Sequence, residues 1–276
     1  MKSHAKLPEK IVLVFIASVW GVVCLFPVWH VFSATFSTDN SNMTRTIFPN
    51  SIGNGLLKLK TALSTVNMAK ATFDTLGYTL LAIVGMLLIC SLASYEFTFF
   101  NFPFKKVLFG LVMGSMMLPF VLYVIPLYRF VYSINLADTL WGVALPLMVS
   151  PLSVFIMMQF CEDLPPSFIE AASIDGAGHF AIFRLVVFPL MRNGFITATV
   201  LMFLHSWGAF LWPALVAGSN VMPVSKAISN LLSPNFYVDA RVKMGAMLIA
   251  MVPPLVIYLL FQRYVIQGMA MSGVKG

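Results

Sequence analysis

The sequence predicts an all-α polytopic membrane protein with six transmembrane helices, on three observations. Only 10% of its 276 residues are charged, where an ordinary soluble domain carries about 25%. Mean hydropathy is +0.90. The few charges are also set apart, leaving six stretches of 19 to 33 residues without Asp, Glu, Lys or Arg. A helix needs about 20 mainly apolar residues to cross the hydrocarbon core, where backbone groups find no outside partner. Disorder requires low hydrophobicity and high net charge. A β-barrel would show short alternating strands, not long apolar runs.

The gap between Lys10 and Asp39 holds helix 1, about residues 11–33. Lys2, Lys6 and Lys10 form a basic flank before it. The apolar run is longer than that of a cleaved signal peptide, so residues 1–10 read as an N-terminal tail and helix 1 as an uncleaved anchor. Asp74 and Glu96 bracket helix 2 (73–96), and Lys106 and Arg129 helix 3 (107–132). The charge-free gaps after Asp138, Arg192 and Lys243 mark helix 4 (139–160), helix 5 (about 187–214) and helix 6 (about 244–264). Residues 11–276 thus form one transmembrane domain, with a polar segment, 162–186, between helices 4 and 5. Pro119, Pro126, Pro146, Pro151, Pro213, Pro253 and Pro254 fall in or near spans, and each removes a helix hydrogen bond and favours a kink.

Six spans put both termini on one side. With the N-terminus inside, nine Lys/Arg fall on inner segments and seven on outer ones. That bias has the right sign, but the long outer segment 34–72 dilutes the positive-inside rule. The net charge of +7 is therefore divided across the membrane and offers no surface for nucleic acid.

Motifs for soluble chemistry are missing. There is no G-x-x-x-x-G-K-[ST] phosphate loop, no H-E-x-x-H, and no Cys/His cluster. No cofactor or metal is expected on this chain, and no catalytic set converges, so an enzyme is not expected. Cys24, Cys90 and Cys161 are scattered in or beside apolar runs and read as small hydrophobes. His205 lies within helix 5, where an ionisable group either lines a cavity or bonds neutrally between helices. Asn42-Met43-Thr44 fits a glycosylation sequon by chance-level matching. Gly110 and Gly114 have the spacing of ordinary close helix packing.

The informative stretch is Leu164 to Ala177, reading LPPSFIEAASIDGA. Pro165 and Pro166 stop the preceding helix. Ser167 and Glu170 have S-x-x-E spacing, which predicts a capping box and a short helix. Gly176 can end that helix in a left-handed conformation. Ala171 and Ala172 add almost no bulk, so another backbone can approach. From these residues alone, a docking element and an interfacial re-entrant turn are both open. Glu170-Ala171-Ala172, three residues, Gly176, nine residues, Val186, one residue, Phe188-Pro189 resembles the E-A-A-x3-G-x9-I-x-L-P signature of bacterial ABC importer permeases. Val186 and Phe188 are mild apolar departures from it. Met117-Leu118-Pro119, Ile125 to Tyr128, Leu136 to Leu140, Phe203 to Pro213 and the ending after Gln262 are similar to the carbohydrate, maltose-transporter type. The likeness covers roughly residues 10–276.

The resemblance implies a cytoplasmic EAA coupling helix, and hence cytoplasmic termini in a bacterial cell membrane. It also implies a mechanism. Two permease subunits, here a heterodimer, form the pathway, and each docks into an ATPase subunit. ATP binds in that partner dimer and not in this chain, and its closure switches the pathway. An extracytoplasmic solute-binding protein delivers a sugar or oligosaccharide. Glu170, Ala171, Ala172, Asp175, Gly176 and Ala177 carry the docking role, with Glu170 facing a basic ATPase residue and Gly176 supplying the bend. The tail through Lys275 and Gly276 reaches toward the ATPase dimer in this family.

Sugars are held by aromatic stacking and hydrogen bonds in a wet cavity. Tyr123, Tyr128, His205, Trp207, Phe210 and Trp212 are the candidates, set against belt or lipid-facing roles. The family's Trp-Asn pair in helix 5 is Trp207-Gly208 here, followed by Ala209, which removes polar groups. A non-sugar solute such as glycerol phosphate is the alternative, and Arg129 is the cation in view for it. A secondary transporter would need buried acids, and the six spans hold none away from their ends.

Overall fold

A computed structural model describes residues 7–38, 47–65, 67–233 and 237–273. His4, Lys2, Lys6, the Asn42 sequon, Arg45 and the Lys275–Gly276 tail lie outside them. Every regular element among the described residues is helical, as the composition requires. The chain divides into two compact units, one of residues 1–69 with 228–251 and the other of residues 70–227 with 252–276.

In the first unit, α1 (Leu7–Thr35) is apolar on every side and its most hydrophobic window has no residue buried within the chain. Such a helix presents its whole girth to lipid or to another subunit. Its C-terminal end is anchored to α2 (Ile52–Thr65), because the Phe36 carbonyl accepts the N–H groups of Asn50 and Ser51 at 3.1 and 2.9 Å. Lys58 of α2 pairs with Asp239. Arg241, which opens the N-terminal turn of α14 (Ala240–Gly273), donates to the Ser37 carbonyl at 2.7 Å.

The second unit holds the body of α3 (Met68–Phe99), then α4 (Lys105–Ser115), α5 (Phe120–Ser133) and α6 (Leu140–Ala144) with a 3-10 turn through Met148. There follow α7 (Pro151–Glu162), α8 (Pro166–Ile174), α9 (His179–Ile182) leading into a π-turn, α10 (Phe188–Leu190), α11 (Arg192–Gly208), α12 (Leu211–Val216) and the start of α13 (Val224–Leu232). Tyr78, Ala82, Val124, Val131, Val143, Ala144, Trp212 and Val216 form its apolar core. Polar bonds tie the helices where lipid offers no partner. Thr79 and Ser206 hydroxyls meet at 3.0 Å, Ser94 donates to Val154 O at 2.9 Å, and Thr197 donates to Tyr264 O at 3.0 Å.

Among the described residues, three helices are long and apolar enough to cross a membrane: Glu9–Thr35, Met68–Phe99 and Ala240–Ile266. Three bent pairs reach that length only when both halves are taken together. The stretch read as an unbroken helix over 107–132 is α4 and α5, bent by 100°. That read over 139–160 bends by 47° before α7. The stretch 187–214 contains α10, α11 and α12, with a 75° bend where α11 begins. Proline explains the first two breaks. Pro119 sets the extended residue before α5, and Pro151 opens α7, whose Ser150 caps the Ser153 N–H at 3.2 Å. Pro126, Pro253 and Pro254 sit inside helices instead.

The turn from α5 to α6 needs its own chemistry. Asn135 (φ 55°) and Asp138 (φ 57°) take left-handed backbone, which Asn and Asp tolerate best after Gly. Leu136 N–H reaches back to Val131 O at 3.1 Å, closing α5. Thr139 then caps α6 through the Gly142 N–H at 3.0 Å. A Cβ on Gly142 would collide with the backbone carbonyl of Leu136. Gly142→Ala is expected to cost about 1–3 kcal/mol, read as a lower unfolding temperature of the purified protein in detergent.

Candidate functional site

The segment that carries the EAA-like residues begins at Pro165, whose ψ of 125° sets the entry to α8. Pro166 takes the first helical position, where its fixed φ and missing N–H fit. Helix α8 therefore starts two residues earlier than the S-x-x-E spacing predicts, with Pro165 and not Ser167 at the N-cap. Ser167 lies inside the first turn, and the expected capping box does not form; no side chain caps this helix. Its end follows expectation. Gly176 has φ 82°, the N–H of Gly176 reaches Ser173 O at 3.1 Å, and that of Ala177 reaches Ala172 O at 3.0 Å. This is a Schellman-type stop that favours glycine.

No residue of α8 is buried. Ile174 is 86% exposed, Phe168 50%, and Phe180 on α9 67%. Glu170, Ala171, Asp175 and Gly176 are exposed as well, while Ala172 and Ala177 are partly covered. The segment is thus a short, largely exposed helix that ends in a sharp glycine bend. The chain just after the bend is fixed: Tyr95 of α3 donates its O–H to His179 O at 3.2 Å. The Tyr95 ring also packs on Phe99, Phe100 and Phe183, with centroids 5.2–5.6 Å apart.

A cavity of about 690 Å³ opens within the second unit. Two helix breaks border it, Ser115-Met116 and Leu118 after α4, and Val149-Ser150-Pro151 before α7. Non-helical backbone at membrane depth is tolerated only where protein buries it or water reaches it, so the breaks and the cavity account for each other. Tyr123, His205 and Trp212 line this space, whereas Tyr128, Trp207 and Phe210 do not. Trp212 is only 3% exposed and donates its N–H to Val143 O at 3.0 Å. Trp207 is buried and stacks on Phe203 at 5.5 Å, and Tyr128 packs against the core. Tyr123 and His205 remain as exposed candidates on the wall. Ser115, Ser150 and Ser153 join them as lining residues that sequence reading missed. The signal for Ser150 was a serine directly before a proline, Pro151, inside a charge-free stretch. The wall carries no Asp, Glu, Lys or Arg.

At the other end of α3 lies a loop, residues 217–224, held by side-chain to backbone bonds. The Asp138 carboxylate accepts backbone N–H groups from Gly218, Ser219, Asn220 and Val221 at 2.6–3.0 Å. Burial would raise this carboxyl, but the four donors outweigh it and hold its pKa at about 2. Asp74 accepts the Met222 N–H at 2.8 Å, and the Thr75 hydroxyl accepts the Val224 N–H at 2.9 Å.

Comparison with known proteins places this architecture. Residues 85–271 match the model of the binding-protein-dependent transport system inner membrane component family. The arabinooligosaccharides transport system permease protein AraQ of Bacillus subtilis is 34% identical over 205 residues, 74% of this chain and 73% of that one. The sn-glycerol-3-phosphate transport system permease protein UgpE of Rhizobium meliloti is 28% identical over 260 residues, covering 90% and 91%. In fold, the chain is similar to a chain in the crystal structure of a bacterial ABC transporter involved in the import of the acidic polysaccharide alginate. The TM-score is 0.82 at 19% identity, over 96% of this chain and 99% of that one. The chain thus belongs to the binding-protein-dependent transport system inner membrane components, and it is a multi-pass ABC import permease.

Proposed function

We propose that this permease carries an uncharged sugar or oligosaccharide, as one half of a heterodimeric pathway in a bacterial cell membrane. The observation that carries this reading is the cavity wall, polar through serine, tyrosine and histidine yet free of fixed charge. A phosphorylated solute calls for Lys or Arg beside its path. Arg129, the cation in view for that alternative, is not among the lining residues. Of the relatives' solutes, an arabino-oligosaccharide fits this wall better than glycerol 3-phosphate or alginate.

Coupling runs through residues 166–177, with Phe168, Ala171, Ile174 and Gly176 covered by an ATPase subunit and Glu170 facing a basic residue of it. Both termini then lie in the cytoplasm, ATP is bound and hydrolysed in the partner dimer, and this chain supplies no catalytic group. A solute-binding protein delivers the sugar from the other side. The test is ATP hydrolysis by the complex in proteoliposomes with its solute-binding partner. Neutral saccharides in a panel are expected to stimulate hydrolysis, and glycerol 3-phosphate and uronates are not. Stimulation by an anionic member alone overturns the reading.

A further inference from the structure

Among the described residues, α3 is the long helix of the second unit that has neither a break nor a proline. The α4–α5, α6–α7 and α10–α11 pairs are bent, and the part of α14 in this unit carries Pro253 and Pro254. A bent pair absorbs a displacement at its bend, while a straight helix passes it from end to end. Both ends of α3 are tied. Near its C-terminus, the Tyr95 O–H holds the His179 carbonyl, directly after the Gly176 bend. Near its N-terminus, Asp74 and Thr75 hold the N–H groups of Met222 and Val224. Thr75 and Tyr95 lie about 30 Å apart along the axis at 1.5 Å per residue, the depth of the hydrocarbon core.

The loop at the far end is itself stiff. Asp138 gathers four of its N–H groups, and Lys226 donates to the carbonyls of Ala217 and Gly218. A pull on Met222 and Val224 therefore moves residues 217–224 as one piece, with Gly218, Ser219 and Asn220 on its exposed side.

From these ties we infer that α3 is a strut, in which Tyr95, Asp74 and Thr75 are positioning residues that convey displacement of the coupling loop to the 217–224 loop. The inference rests on the docking reading of residues 166–177. It assigns the outer loop a nucleotide-dependent position, set through one helix and not through the bent spans.

The test uses the complex with its ATPase in nanodiscs, in a Cys24→Ala background. A thiol reporter is placed at Ser173→Cys on α8 or at Ser219→Cys on the loop, both exposed positions. Labelling rates are compared without nucleotide and with ATP plus vanadate. Both reporters are expected to respond. Tyr95→Phe keeps the ring contacts and loses one hydrogen bond, and Thr75→Val loses one at the other end. In either variant the Ser173 reporter keeps its response, the Ser219 response falls about fivefold, and the nucleotide-free rate at Ser219 stays unchanged. Thr79→Val removes a bond one turn inward of Thr75 that does not touch the 217–224 loop, and leaves the Ser219 response intact. A full Ser219 response in both end variants, or an equal loss in Thr79→Val, overturns the strut. An unresponsive Ser219 reporter in the parent also overturns it while docking stands. An unresponsive Ser173 reporter overturns docking and the strut together.

Discussion

Gly176→Pro is expected to leave the protein in the membrane and strip it of its ATPase. Proline is locked near φ −65°, and Gly176 sits at +82°. The substitution also deletes the N–H that closes α8 on Ser173 O. The bend between α8 and α9 then opens, and the exposed Phe168 and Ile174 no longer face one way. Co-purification of the ATPase should drop at least about tenfold, equivalent to about 1.4 kcal/mol, while membrane levels by immunoblot stay within about twofold. Gly176→Ala should act in the same direction but less, because left-handed backbone costs an ordinary residue about 1–2 kcal/mol. Ala172→Trp should lose the ATPase by bulk, since Ala172 is half covered and its carbonyl takes the Ala177 N–H. Normal ATPase assembly and normal sugar uptake in both Gly176→Pro and Ala172→Trp would sink the docking assignment.

Asp138→Ala should be the most damaging change outside the coupling loop. One carboxylate serves four N–H donors spread over Gly218 to Val221, and no other residue in the turn replaces it. Three of those donors belong to exposed residues and regain water, so the net cost is about 2–3 kcal/mol, near that of one charge-assisted bond. The pH dependence has a definite sign. The folded pKa of about 2 lies below the ordinary 3.8. The carboxylate's contribution is therefore complete above about pH 4 and is lost as pH falls toward 2. Thermal unfolding in detergent from pH 7 to pH 3 should show a constant gap between wild type and Asp138→Asn above pH 4, narrowing below it. A gap that widens on acidification would contradict the clamp.

Charge spacing located the long apolar helices because a buried charge without a partner is costly in lipid, and α1, α3 and α14 cover the stretches it marked. The same rule was blind to the breaks. Met116 to Pro119 and Val149 to Pro151 are as free of charge as the helices around them, so a gap in charge cannot distinguish one rod from two. It also passed over α2 and α13, whose Lys58 and Lys226 look like boundaries but are helix positions bonded to Asp239 and to the Ala217 carbonyl. The glycine stop at 176 was legible, because a left-handed residue leaves a type-specific mark. The start of α8 was misread because Pro166 competes with Ser167 for the same turn, and proline's fixed φ prevails. Trp207 and Trp212 look alike in sequence to Tyr123. Only tertiary packing shows that Trp207 is buried away from the cavity and Trp212 buried at its edge, while Tyr123 stands exposed on the cavity wall.

The bent helix pairs also carry a consequence for how the chain is made. α4 has 11 residues and α7 has 12, lengths too short for either to partition into the bilayer on its own. Each is expected to insert together with its neighbour as one apolar segment and to bend as the surrounding helices supply walls for the exposed backbone. The cavity is then a late product of assembly, absent from any nascent intermediate. A variant that straightens α4 into α5 would still integrate with normal yield and topology, and the defect would surface only in the finished transporter.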